Sequence, residues 1–113
     1  MLTILKYPLE VKYEQVVRLP SGFTVLCVQT QGLEETPSLW VMLDNEQKIM
    51  YDFHVFLVGT KHVTSESAIH PRNYIGTFQR KADDFAQKFV YHVFGMCKGH
   101  GKVVEHGGAP CPT

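Results

Sequence analysis

The chain has 113 residues, of which 44% are hydrophobic and 12% aromatic, a composition that fits one folded domain and argues against intrinsic disorder. Its eleven basic and eleven acidic side chains cancel, so no overall field draws the molecule to an extended nucleic acid or to an anionic membrane. There is no apolar run long enough to span a bilayer, and Lys6 and Pro8 interrupt the apolar start before it reaches the length of a secretory signal, so we expect a cytoplasmic protein.

Apolar and β-branched residues recur with a period of two, which predicts seven β-strands. The predicted strands are residues 2–7, 11–19, 23–31, 39–43, 49–58, 74–79 and 89–94. Residues 49–58 are apolar on both alternate faces, which predicts a central strand covered on both sides for part of its length. Because strands do not alternate with helices, the pattern favours an all-β fold, a small sandwich or barrel of about seven strands.

Three segments depart from this strand pattern. Residues 59–72 form a loop without a helical period, and loops of this length in compact domains are often functional. Residues 83–88 have room for one helical turn before the last strand. From residue 96 onward the composition changes to glycine, histidine, proline and lysine, which indicates a mobile end. We therefore expect a β domain over residues 1–95 and a flexible tail over residues 96–113.

Trp40 is the only tryptophan of the chain. It is out of phase with Leu39, Val41 and Leu43, so it lies on the opposite face of its predicted strand. Burial in the core is favoured over a pocket or an interface, because a large aromatic ring is usually buried. So small a β domain also leaves strand edges that a second copy can cover, and we expect a homo-oligomer.

Six histidines and three cysteines raise the question of a metal site. None of the histidine pairs has the i,i+2 or i,i+4 spacing beside a carboxylate that metal sites usually show. The tail holds a Cys97-x-x-His100 pair and a His106 to Cys111 pair, but in a glycine-rich setting without the spacing of a zinc knuckle. We predict no metal site and no cofactor.

One local cluster has the residue types of an anion site. Gly59, Thr60, Lys61 and His62 follow a predicted strand and offer close backbone approach, a hydroxyl, a cation and an imidazole. Before the next strand, Arg72 adds a guanidinium suited to phosphate, and the neighbouring Tyr74 adds a ring that can stack on a base. The alternative is a solvated loop whose charged residues face water.

Several motifs occur in order between residues 6 and 94 and together resemble a family of small proteins, mostly of unknown function, encoded by bacteriophages and prophages. The motifs are Lys6-Tyr7-Pro8-Leu9, Val25-Leu26 with Val28 to Gln31, Pro37-Ser38-Leu39-Trp40, Val58-Gly59-Thr60 with His62, Tyr74 to Gln79, and Phe89 to Phe94. The chain departs from the family pattern at Lys61, where a glycine is usual, and after Phe94, where the tail passes the usual end.

Small multimeric phage proteins of this kind often resemble counter-defence proteins that sequester nucleotide signals of bacterial immunity. The resemblance therefore implies a homo-oligomer that binds a cyclic ADP-ribose isomer or a cyclic oligonucleotide without cleaving it, in the cytoplasm of an infected or lysogenic host. Lys61 and Arg72 would then contact phosphates, and Trp40 or Tyr74 would stack on the base. Further hydrogen bonds would come from His62, Thr77 and Gln79.

Two other functions stay open at this point. In the first, the protein is a phosphodiesterase that cleaves such a signal, with His54, His62 or His92 as general acid or base. In the second, it inhibits a host factor by binding that protein through an exposed aromatic patch.

Overall fold

The computed structural model describes residues 1–32, 35–81 and 88–97. The strands in these ranges are β1 (Leu2–Pro8), β2 (Glu14–Pro20), β3 (Thr24–Gln31), β4 (Thr36–Asp44), β5 (Met50–Gly59), β6 (Tyr74–Lys81) and β7 (Lys88–Cys97). A 3-10 turn, Pro71–Asn73, directly precedes β6. The prediction of an all-β fold with about seven strands is confirmed. Within the described ranges, no helix is long and apolar enough to cross a membrane.

The strands form two antiparallel sheets. The three-stranded sheet has the order β1-β4-β3, and the four-stranded sheet has the order β2-β5-β7-β6. The predicted long apolar strand, β5, lies between β2 and β7, so it is central as expected. The predicted hairpin of β6 and β7 is also present, with Phe78 opposite Tyr91.

The core lies between the two sheets. Because side chains of a strand alternate between faces, each strand sends every second residue inward. The largest fully buried side chains are Leu19, Phe23, Leu39, Val41, Phe53, Val55, Phe56 and Val93, and all of them except Phe56 belong to the core cluster. Gly95 faces this core, where a Cβ would lie 2.4 Å from the Phe53 ring, so the ring occupies the space of the missing side chain.

The two sheets approach each other along β3 and β6. Val25 and Leu26 lie beside the start of β6, and a Cβ on Gly76 would lie 2.9 Å from the Val28 side chain. At the far end, the backbone N–H of Lys81 donates to the Glu35 carboxylate. Residues later in β3 therefore contact residues later in β6, so the two strands run in the same direction at this edge.

Some boundaries differ from those expected. The second strand begins at Glu14 and not at residue 11, and the fourth begins at Thr36 and not at residue 39. The last strand runs to Cys97, past the boundary predicted between residues 95 and 96. The rest of the predicted tail, residues 98–113, and residues 83–87 of the predicted helical turn lie outside the described part of the chain, and Lys88, the last residue of that turn, instead begins β7.

The loop after β5 folds back over the outer face of the four-stranded sheet. Phe56 is fully buried on that face, and Tyr13 packs edge-on against it with ring centroids 5.7 Å apart. His62 stacks on Tyr13 at 5.6 Å, and the Tyr13 hydroxyl lies 3.3 Å from the Thr64 hydroxyl. Ala68, further along the loop, is also fully buried. Residues 60–70 therefore cover part of the sheet, and β5 is buried on both faces there, as predicted.

Candidate functional site

Strand register places Val58, His92 and Thr77 in one row across β5, β7 and β6. Directly opposed residues of antiparallel strands point to the same face, and here this is the outer face of the four-stranded sheet. Val58 is buried, whereas His92 is half-buried and Thr77 is exposed. The row therefore places the His92 imidazole and the Thr77 hydroxyl at the boundary between the buried and the solvent-exposed parts of this face.

A chain of hydrogen bonds runs through this row. The Nε2 atom of His92 lies 2.8 Å from Thr60 Oγ1, and its Nδ1 atom lies 3.0 Å from Thr77 Oγ1. The Thr77 oxygen in turn lies 2.6 Å from the Tyr74 hydroxyl. We call these four residues (Thr60, His92, Thr77 and Tyr74) the His92 network. They come from three separate segments of the sequence, which the sheet brings together.

The His92 network always has a hydroxyl proton to offer at one of its ends. In a neutral imidazole one ring nitrogen donates and the other accepts. If Nδ1 carries the proton, Thr77 accepts it and donates to Tyr74, whose own O–H then points outward. If Nε2 carries the proton, Thr60 accepts it and its own O–H becomes available. The network can therefore present a free O–H donor either at Tyr74 or at Thr60, depending on which ring nitrogen of His92 carries the proton.

A groove of about 390 Å³ lies at the Thr60 end of the network, and we call it the Thr60 groove. Its lining consists of Gly59, Thr60, Lys88, Phe89, Val90 and Tyr91. Since Gly59 pairs with Tyr91, the exposed Lys61 leaves β5 at the same end of the sheet. Phe89 is 51% exposed, so this end combines two cations with an aromatic ring open to solvent.

A smaller groove of about 230 Å³ lies at the Tyr74 end, between the two sheets, and we call it the Arg72 groove. It is lined by Val25, Leu26, Arg72, Asn73, Tyr74 and Ile75. His70 caps the turn before it, because its Nδ1 accepts from the backbone N–H of Arg72 at 3.1 Å. Asn73 fixes the turn to the covering loop by donating to the Ala68 carbonyl at 2.9 Å. The His92 network connects the two grooves.

The structure brings together most of the residues that the sequence proposed for a ligand site. Thr60, Tyr74 and Thr77 belong to the His92 network, and Gly59 lines the groove beside it. Gln79 is exposed and pairs with Val90 on the same outer face.

Three of the proposed residues are placed otherwise. His62 is stacked on Tyr13 in the covering loop. Arg72 lines the Arg72 groove, at the opposite end of the network from Lys61. Trp40 lies on the outer face of the other sheet, paired with Lys6 and Cys27, so it is outside both the core cluster and this site.

Lys88 and Phe89 were not among the predicted binding residues, and His92 was named there only as a candidate general acid or base. A signal existed for His92 and Phe89, because both lie within the motif Phe89 to Phe94 on which the family resemblance rests. Three of the motifs supply the His92 network, and pairing of β5, β7 and β6 makes them neighbours. Lys88 carried no signal, since a lysine at a strand start is an ordinary scaffold residue.

The other histidines of the described ranges have partners of their own. His54 Nδ1 lies 3.3 Å from a Glu14 carboxylate oxygen. His54 is four residues before Val58, the β5 residue that pairs with His92. His62 and His70 have the ring and backbone contacts given above. Among the described residues, no three His, Cys, Asp or Glu side chains cluster as a metal ion would require.

Comparison with protein families gave one match. The model of a family described as a domain of unknown function, DUF7352, matches residues 1–102. The match covers the whole described β domain and extends past Phe94, where the resemblance seen in the sequence ended. No curated protein and no solved structure matches the chain.

Proposed function

The chain belongs to the DUF7352 family, and we propose that it binds a small phosphate-bearing ligand, such as a nucleotide, and holds it without cleaving it. The site is the outer face of the four-stranded sheet, from the Thr60 groove to the Arg72 groove. The observation that carries the proposal is the His92 network, a line of oriented hydroxyl groups with cations and exposed aromatic rings at its ends.

The network supports binding over acid-base catalysis. A histidine that acts directly on a ligand as general acid or base needs a ring nitrogen open to that ligand. Both ring nitrogens of His92 already face threonine hydroxyls, at 2.8 Å and 3.0 Å. The imidazole therefore acts by orienting those hydroxyls, and the ligand meets the hydroxyls and not the ring.

The charges near the Thr60 groove favour an anion. Lys61 and Lys88 lie at this end of the sheet, and Lys81 is paired with Lys88 across β6 and β7. Among the described residues, the acidic neighbour at this end is Glu35, which accepts from the Lys81 backbone. Within the described ranges at this end of the sheet, three cations against one carboxylate favour phosphate oxygens.

Exposed aromatic rings favour a base as the second part of the ligand. Tyr74 is 50% exposed on the outer face. Phe89, which is 51% exposed, lines the Thr60 groove at the end of β7, although its register places it with Tyr91 on the opposite face of that strand. Bases stack on such rings with little sequence preference, at about 1–3 kcal/mol per base. A ligand with both phosphate and base satisfies both kinds of group, whereas inorganic phosphate satisfies only one.

For the biological setting we propose counter-defence in an infected or lysogenic bacterium. The protein would sequester a nucleotide immune signal, such as a cyclic ADP-ribose isomer or a cyclic oligonucleotide, as a homo-oligomer. The family resemblance in the motifs supports this setting, and the three motifs that meet at the His92 network support the location of the site.

The first experiment is a thermal-shift screen of the full chain against cyclic ADP-ribose isomers, cyclic dinucleotides and mononucleotides, with phosphate and sulfate as controls. A bound nucleotide should raise stability by RT ln(1 + [L]/Kd), about 2.7 kcal/mol at 100 times Kd. Native mass spectrometry then reports the ligand mass after release. An intact nucleotide supports sequestration, a cleaved one indicates the phosphodiesterase, and no stabilisation by any nucleotide contradicts the proposal.

A matched pair of variants tests the site itself. Thr77→Val keeps the shape of the side chain but removes the hydroxyl that joins His92 to Tyr74, so we expect affinity to fall by at least about tenfold. Thr77→Ser keeps the hydroxyl and should stay within about threefold of the wild type. Equal affinities for the two variants, measured by calorimetry, would contradict the role of the network.

A further inference from the structure

The outer face of the three-stranded sheet is apolar and, among the described residues, uncovered. It presents Leu2 and Ile4, which are 70% and 53% exposed, together with the half-buried Trp40, Met42 and Cys27. The equivalent face of the four-stranded sheet lies partly beneath the chain's own loop. Contiguous exposed apolar surface of this kind marks an interaction site.

Strand register makes these side chains one continuous patch. Ile4 lies opposite Met42, and Lys6 lies opposite Trp40. On the other side of β4, Trp40 lies opposite Cys27. Leu26, the extra residue of a bulge in β3, lines the Arg72 groove and is not part of this patch.

Trp40 and Lys6 form the polar edge of this apolar patch. The Trp40 ring is half-buried, and Lys6 Nζ lies 5.8 Å from its centre. The same ammonium donates to Gln31 Oε1 at 2.8 Å. The ring therefore offers one face to a partner, while Lys6 supplies a positive charge beside it.

Charge is arranged with opposite signs at the two ends of the patch. Lys6 is at one end of β1, and at the other end Asp44 and Glu46 lie beside the N-terminal amine, which is 3.0 Å and 3.7 Å from their carboxylates. One amine against two carboxylates leaves this end negative. A two-fold axis in the plane of the face and perpendicular to the strands would place each Lys6 over the acidic end of the other copy.

We propose that this face binds a second copy of the chain, sheet against sheet, about that two-fold axis. The face measures about 14 by 23 Å from strand spacing and rise, so two copies bury on the order of 1,000 Å² of accessible surface. This is near the lower limit for a specific interface. The apolar centre supplies the contact, and the charges at the ends fix the direction.

The dimer face and the ligand site lie on opposite sides of the sandwich. A dimer through the three-stranded sheet therefore leaves both His92 networks open to solvent, with one ligand site per copy. The dimer proposal does not depend on the ligand, and either can fail without the other.

Sedimentation equilibrium of the full chain tests the proposal. The wild type should be a dimer at about 100 µM, and Ile4→Glu should make it monomeric by placing two carboxylates in the apolar centre. Val63→Glu is the matched control, since Val63 is a 93% exposed side chain of the covering loop, and it should stay dimeric. Circular dichroism of each variant verifies folding.

The direction of packing has its own test. Lys6→Glu should weaken the dimer at least about tenfold, and Glu46→Lys in the same chain should restore most of the loss. If the wild type is monomeric at all concentrations, the proposal is overturned. This holds whether residues 98–113 cover the face or nothing covers it. A dimer unaffected by Ile4→Glu also overturns it, and failure of the charge exchange overturns the two-fold arrangement.

Discussion

Replacing Phe56 by alanine tests whether Tyr13, which the loop of residues 60–70 contacts, covers the outer face of the four-stranded sheet. Truncating a phenylalanine that faces water would change the free energy of unfolding only slightly. Phe56, however, is fully buried against Tyr13. Truncating a buried phenylalanine costs about 3–5 kcal/mol. We expect about 3 kcal/mol, since a loop can settle partly into the cavity, and this lowers Tm by about 15 °C in a domain of this size.

The assay is urea denaturation followed by far-UV circular dichroism, with Phe89→Ala as the control. Phe89 lies on the same sheet but is 51% exposed, so its truncation should cost less than about 1 kcal/mol. Tyr13→Ala and the double variant with Phe56→Ala complete a cycle, and we expect their effects to be non-additive because the rings touch. A cost for Phe56→Ala below about 1 kcal/mol would refute the covered face.

Three further predictions concern single positions. Lys61 has a φ of 74°, which is strained for a side chain with a Cβ, so Lys61→Gly should raise the free energy of unfolding by about 0.5–1 kcal/mol while weakening nucleotide binding. Gly95→Ala places a Cβ against the Phe53 ring and should destabilise the fold by about 2–3 kcal/mol in a denaturant titration. Hydrogen bonds, first of all from the Glu46 backbone N–H, lower the pKa of Asp44. Its carboxylate therefore stabilises the fold at every pH above the ordinary aspartate pKa. The stability gap between the wild type and Asp44→Asn should stay constant down to that pKa and shrink only as the pH falls below it, through the lowered pKa of the folded state.

The fold was predictable from the sequence because alternation reports directly on strands. Both faces of residues 49–58 were apolar, and this run is the central strand β5 with Phe53 inside and Phe56 outside. Pairing was predicted only for β6 and β7, although β3 and β4 are also adjacent in sequence and pair. The order of the other strands depends on which edges pair across long separations, and residue periodicity carries no information about that.

The candidate site was predictable in part for the same reason. Thr60 and Tyr74 stood out as ends of a long loop, but the sequence could not show that His92 lies between Thr60 and Thr77, since this depends on two strand registers. Lys61 illustrates the opposite case. Its departure from the usual glycine was visible in the sequence, and the φ of 74° supplies the physical reason why glycine suits the position.

Trp40 and Phe56 show what alternation leaves undecided. Each lies on a central strand and points away from the core, so sequence parity assigns both to an outer face. Parity does not say what lies on that face. Phe56 is fully buried beneath Tyr13, whereas Trp40 is half-buried on a face where Leu2 and Ile4 are 70% and 53% exposed. Exposed apolar side chains of this kind are what a partner surface would cover, and a second copy is the partner that we propose.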